Sequence, residues 1–283
     1  MYRRIHLDCQ CLRRIAIVAT CCLIWWMISD SMHPLVDRDS GIDVLPPSEM
    51  PYNGFSDLDV DLGDDARMVM HLLENKTGGT FVEIGANNGI YGSATFFLER
   101  FMHWEGVGIE MVPSLFRKAL ATNRKWHLIH ACASLNSSRY KMHFDGGTVA
   151  CFPLHELINA ANFTKIDFLR LDVEGTGLQV MQATDFSKVD FGIITWENEA
   201  NIWPNLVEME KLMRKNSMVM ISRKAADDSR FEEPAFIKAE LFEKNRAKLS
   251  LEDWVPQQEF QRKIRTKIRR HEISEELWLQ RRL

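Results

Sequence analysis

Four polar features have the residue types and spacing to build a site. The first lies in Thr80 to Phe96, TFVEIGANNGIYGSATF. There a β-branched and aromatic run stops at Gly85, passes through Ala86, Asn87 and Asn88, and turns again at Gly89. Glycine lets a backbone turn tightly and lie bare against a ligand. An ordinary strand-to-helix turn has the same appearance, so this stretch alone leaves both readings open. The central glycine of G-x-G-x-x-G is missing, and the dinucleotide fingerprint is not met. The second feature is Glu110, which closes a short apolar run about twenty residues after Gly89, where an acid can accept both hydroxyls of a ribose. Asp172 with Glu174 and Glu197 with Asn198 are the third and fourth, each ending an apolar run. Paired with Glu110, the glycine loop reads as a place for a nucleoside-type cofactor. Glu83 shares the face of Gly85 two residues on. It either steadies the glycine loop through backbone amides, reaches a cationic ligand group, or is simply satisfied by neighbouring N–H groups.

These residues need a frame that brings strand ends together. Phe81–Ile84, GVGIE, HLIHACA, IDFLRLDV, FGIITWE and SMVMISR are near-continuous apolar runs that read as strands, with a short extra strand over Ser138 to Phe144. Between them lie helical patterns. One is capped by Asp64/Asp65 and carries Met68, Val69, Leu72 and Leu73 on one face. Others pass through Ala94, Phe97 and Phe101, through Leu115, Phe116, Ala119 and Leu120, and over Pro153–Ala160, Leu178–Ala183 and Leu206–Lys215. Apolar strands alternating with helices predict an α/β fold with a parallel sheet covered on both faces. In such a sheet, ligands bind beyond the carboxyl ends of the strands, where strand order reverses. All four polar features fall at such ends. That joint placement outweighs any one motif.

The 283 residues, 46% hydrophobic and 26% charged, suit one large domain with appendages. A net charge of -4 gives no reason to expect a nucleic-acid partner. The amino terminus stands apart. Arg3, Arg4, Arg13 and Arg14 precede the unbroken apolar run Ile15 to Ile28. As a helix it spans roughly 21 Å, short of the ~30 Å hydrocarbon core. Trp25 and Trp26 sit late in the run, and no A-x-A cleavage site follows. We therefore favour an uncleaved signal anchor over a cleaved signal peptide or a buried soluble helix, with the arginines placing the terminus in the cytosol. The expected plan is a basic tail over 1–14, an anchor over 15–31, a Pro- and Asp-rich stem over 32–61, the domain over 62–240 and a charged helical extension over 241–283. In that extension Phe260, Ile264 and Ile268 repeat among basic residues. Asn75, Asn136 and Asn162 each open an acceptor sequon, in agreement with a luminal domain. Cys132 and Cys151 read as two buried thiols, with a disulfide as the alternative in an oxidising lumen.

FVEIGANNGIYGSATFFLER, GVGIEMVPSLFRKAL and IDFLRLDVEGTGLQVMQA together resemble the FkbM family of S-adenosylmethionine-dependent methyltransferases, over about Thr80 to Arg223. The resemblance implies a class I, Rossmann-like methyltransferase fold with a mostly parallel seven-stranded sheet, here preceded by a transmembrane helix. It implies that Glu83, Gly85, Asn87 and Gly89 line the methionine side of the cofactor and that Glu110 holds the ribose. Asp172 and Glu174 would stand beside the sulfonium and the acceptor. The amino-terminal anchor is similar to that of membrane-bound animal members of the Star type.

The expected reaction is O-methylation of a sugar-like or small hydroxyl compound by a type II membrane protein of the endoplasmic reticulum or Golgi. The alternative is a tethered binding or trafficking factor, keeping the fold without turnover and partnered by a secretory-pathway protein. A hydroxyl acceptor needs a base within about 3 Å. Asp172 is the first candidate, Glu174 and Glu197 follow, and His143 and His155 are weaker. Asp172 and Glu174 read as structural acids rather than metal ligands.

Overall fold

The computed structural model describes residues 35–37, 41–55, 63–144, 147–197, 202–223, 234–251 and 254–256. The apolar run expected to anchor the chain, the basic repeat around Ile264, and Asn198 lie outside them. No helix among the described residues is long and apolar enough to cross a membrane.

Short edge strands β1 (Leu35–Asp37) and β2 (Ile42–Leu45) come first, then α1 (Asp64–Leu72) and β3 (Thr80–Ile84). The chain continues through α2 (Ala94–Met102), β4 (Glu105–Glu110), α3 (Pro113–Ala121), β5 (His127–His130) and β6 (Cys132–Ala133). Next are β7 (Tyr140–Phe144), β8 (Gly147–Phe152), α4 (Leu154–Ala160), β9 (Lys165–Leu171), α5 (Gly177–Gln182) and β10 (Asp190–Trp196). Last come α6 (Ile202–Lys215), β11 (Met218–Arg223), β12 (Pro234–Lys238), α7 (Ala239–Leu251) and β13 (Trp254–Pro256).

The main sheet runs β1-β2-β5-β4-β3-β9-β10-β12-β11-β13. Its centre, β5-β4-β3-β9-β10, is parallel throughout. Strand β12 enters antiparallel between β10 and β11. This is a Rossmann-like, mostly parallel sheet, as the alternation of strands and helices predicts. Both faces are covered. Phe81, Phe168 and Ile193 pack against Ala66, Val69, Leu98, Ala119 and Phe242 from α1, α2, α3 and α7. Val82, Leu169 and Ile194 face the opposite way, onto Leu157, Met181 and Met209 from α4, α5 and α6. Each fully buried aliphatic or aromatic side chain contributes about 1.5–3 kcal/mol, so the central strands are the stable part of the frame.

Among the described residues the sheet has ten strands rather than the expected seven. Part of the segment read as stem is folded: β2 pairs with β5, and Ile42 and Val44 are buried. Two alternating apolar residues among acids and prolines are too little sequence signal, but a parallel edge needs covering. Strand β12 was missed because PAFIK is short and starts on proline. HLIHACA splits: β5 stays in the main sheet, while β6 joins β8 and β7 in a second, three-stranded sheet. Asp64 and Asp65 lie in the first turn of α1, and Gly63 takes the capping position. Their charges still suit the positive end of the helix.

Cys132 and Cys151 form a disulfide, a correction to the reading as two thiols. They are directly paired residues of β6 and β8, with Cα atoms 4.5 Å apart. That pairing arises only when the second sheet forms.

Candidate functional site

From β3 the chain steps to β4 and β5 on one side, while β9 and β10 lie on the other. Strand order reverses between β3 and β9, so a crevice opens beyond their carboxyl ends. Gly85, Glu110 and Asp172 all come to that rim. Gly85 has φ +76°, and a Cβ there would lie 2.0 Å from the Asp172 carbonyl oxygen. The Asp172 N–H in turn donates to Ile84 O at 3.2 Å. No side chain fits where these two backbones cross.

Past Gly85 the loop is tied to the end of β4. The N–H groups of Gly85 and Ala86 both donate to Ile109 O, at 3.0 and 3.1 Å. Asn87, at φ +50°, donates its N–H to Glu110 Oε2 at 2.8 Å, and the Val112 N–H donates to Oε1 at 2.7 Å. The Asn88 side chain closes the turn by accepting from the Ile90 and Tyr91 amides. Gly89, at φ +80°, leaves room for Ala119 of α3 and the Trp126 ring, each 3.3 Å from where its Cβ would stand. Both glycines are thus required by contacts within the protein, where the sequence suggested clearance for a ligand.

Glu110 is 4% exposed. Burial pushes its carboxyl above the ordinary range, against the opposing pull of the Val112, Asn87 and Met111 amides and of His130.

Glu83 is 1% exposed, and the partners it meets are side chains rather than backbone amides. Its Oε2 accepts from the hydroxyls of Ser93 (2.7 Å) and Thr95 (2.6 Å), and Arg124 Nη1 stands 3.6 Å away. Arg124 is one residue that the sequence did not point to. Its fully buried guanidinium donates to Glu99 Oε2, Gly89 O, Ser93 Oγ and Thr95 Oγ1 at 2.9–3.0 Å. It also lies 3.5 Å from the Trp126 ring centroid. This cluster supports the glycine loop from beneath through Gly89 O. Its visible sign in the sequence was Glu99, beside Arg100 in the mostly apolar stretch ATFFLERFM.

A second missed residue, Arg170, left a clearer signal: a cation within an apolar strand, two before Asp172. Register sets Glu83, Arg170 and Thr195 side by side on β3, β9 and β10. Arg170 Nη1 donates to Asp172 Oδ2 at 2.5 Å, and its Nε lies 3.7 Å from Asp65 Oδ2. The Thr195 hydroxyl donates to the same Asp65 oxygen at 3.1 Å. Burial works against the Arg170 charge, but Glu83, Asp172 and Asp65 outweigh it and raise its proton affinity above the ordinary arginine value.

Glu174 follows on the rim, exposed, at φ +48° in the turn closed by Thr176 onto Val173 O. The Glu197 N–H donates to Leu171 O, which brings the end of β10 beside that of β9. The weaker base candidates are engaged elsewhere. His143 bonds Thr148 in the small sheet, and His155 Nδ1 accepts from the Asp185 amide. Among the described residues no cluster of three or more His, Cys, Asp or Glu could hold a metal ion.

Against known proteins, residues 83–219 match the family model described as the Methyltransferase FkbM domain. The matched segment is slightly under half of the chain and contains Glu83, Gly85, Asn87, Gly89, Glu110, Asp172 and Glu174. No curated protein matches the chain. Among solved structures, the chain is similar to precorrin-6y C5,15-methyltransferase from Geobacter metallireducens GS-15, at 14% identity over 67% of this chain and 97% of that one, with TM-score 0.38. A methyltransferase from Pyrococcus furiosus gives 12% identity over 67% and 90%, with TM-score 0.39. M. capricolum TrmK, in complex with S-adenosyl-homocysteine, gives 9% identity over 61% and 67%, with TM-score 0.40.

Proposed function

We propose that the protein is an S-adenosylmethionine-dependent O-methyltransferase acting on a sugar-like or other small hydroxyl acceptor. On this reading it is a type II membrane protein whose sheet domain faces the secretory lumen. The observation that carries the reading is the convergence of three distant segments on one rim. Gly85 lies against the Asp172 carbonyl while the next turn of its loop donates to Glu110.

The residues present fit the cofactor. A carboxylate offers about four lone-pair sites. The amides of Asn87, Met111 and Val112 take up part of that capacity on Glu110, and the remainder can accept from a ribose hydroxyl. Asp172 and Glu174 supply anionic groups suited to a ligand that carries a sulfonium and an ammonium. Glu83 acts from below, holding the loop through Ser93, Thr95 and Arg124. When bound, S-adenosylmethionine supplies a methyl group already activated by its positive sulfur.

The protein's own task is alignment and proton removal. Alignment of acceptor oxygen, methyl carbon and sulfur is proximity catalysis, and the rigid β3 and β9 ends provide it. One Asp172 oxygen is committed to Arg170, so Asp172 orients the site, and Glu174, farther out on the rim, takes the acceptor proton.

Calorimetric titration of the full chain in detergent with S-adenosylmethionine tests the reading. Saturable heat is expected, weakened at least about 10-fold, ~1.4 kcal/mol, in Glu110→Ala. No heat at millimolar cofactor would remove the enzyme reading and leave a tethered scaffold.

A further inference from the structure

The two ends of the sheet are built for different things, and the end away from the rim carries two sequons. Asn75-Lys76-Thr77 lies between α1 and β3, and Asn162-Phe163-Thr164 lies between α4 and β9. Strands β3 and β9 are parallel neighbours, so both segments reach the same, amino-terminal end of the sheet. They are knit there: Lys76 Nζ meets Asp167 Oδ2 at 2.7 Å, and the Thr80 hydroxyl donates to Lys165 O at 3.0 Å.

Three observations make these acceptor sites. Asn75 and Asn162 are both exposed, as are Thr77 and Thr164, the hydroxyl residues each sequon requires. Both asparagines sit in turns at φ +57° and +63°, outside any strand or helix. The domain also holds the Cys132–Cys151 disulfide, a bond that persists in the oxidising secretory lumen, where the glycosylation machinery works. A bulky hydrophilic glycan is compatible with folding only where its asparagine stays in water. Strand β3 covers roughly 17 Å at 3.3 Å per residue, so a sugar on either loop stands clear of Gly85, Glu110 and Asp172.

We infer that Asn75 and Asn162 are N-glycosylated, leaving the opposite rim open. In the transfer the side-chain amide nitrogen bonds to the anomeric carbon of a lipid-pyrophosphate-linked oligosaccharide. The bond from that carbon to the pyrophosphate oxygen breaks, the lipid pyrophosphate departs, and the nitrogen gives up one proton. This inference is independent of methyl transfer.

The test is the gel mobility of the full chain expressed in secretory-competent cells, with and without an amide-cleaving endoglycosidase. Thr77→Ala and Thr164→Ala leave the left-handed asparagines intact and are each expected to remove one mobility step. Asn75→Gln and Asn162→Gln should reproduce those losses. An endoglycosidase-insensitive wild-type chain, or a Thr77→Ala/Thr164→Ala double variant with the wild-type shift, overturns the proposal. Asn136 belongs to the β6–β7 loop of the small sheet, and a step retained in the double variant reports on that site alone.

Discussion

Arg124 and Arg170 both sit among carboxylates, at different depths. Arg124 is buried beneath the glycine loop and directs its hydrogen bonds to Glu99, Gly89, Ser93 and Thr95. Arg170 lies near the open rim, its side chain 15% exposed and that of its partner Asp172 23%. Removing one member of a dry, satisfied ion cluster strands the others without water. A pair close to solvent can rearrange when a ligand arrives. The same residue type therefore makes a foundation in one half of the sheet and an adjustable element in the other.

The comparison breaks most sharply at Arg124. Arg124→Met would leave Glu83 and Glu99 buried without their cation, at about 3–5 kcal/mol. A large fall in denaturation midpoint is expected, with cofactor binding lost as a consequence. If the variant keeps wild-type stability, the cluster is not the foundation described. Arg170→Met should cost less, about 1.5–3 kcal/mol for the charged hydrogen bonds it removes, yet weaken cofactor binding more than that loss accounts for. Arg170→Lys should restore stability better than affinity, because an ammonium keeps the charge without the fork. Equal recovery of both would make Arg170 purely structural.

The smallest expected effect is the pH response of Glu110. Burial raises its folded-state value above the ordinary 4.5. Its contribution to stability is therefore full below that value and is lost as pH rises through the raised one. Thermal midpoints of the wild type and Glu110→Gln, followed upward from pH 4.5, should show this slope in the wild type and its absence in the variant. Parallel curves would mean that the loop amides cancel the burial.

Much of the fold is legible in one dimension, since a parallel sheet buried on both faces needs continuous apolar strands. The rim residues are legible for a related reason: they end those strands. Glu83 was read as sharing the Gly85 face, but its partners were not foreseen, because Ser93, Thr95 and Arg124 lie beyond the reach of any local periodicity. Glycine shows a need for space without saying what fills it; at Gly85 that is the Asp172 carbonyl, at Gly89 a helix and an indole.

Strand identity, the helices between strands and the sorting of carboxylates to one end of the sheet follow from local pattern, because hydrophobic periodicity and turn residues act over a few positions. The pairing of Cys132 with Cys151, the antiparallel entry of β12, the covering of β5 by β2 and the two arginine clusters required the assembled molecule. Each depends on groups distant in sequence meeting in the folded molecule, which hydrophobic periodicity and turn residues do not encode, and in its buried parts an unpaired charge or hydrogen-bonding group is too costly to leave.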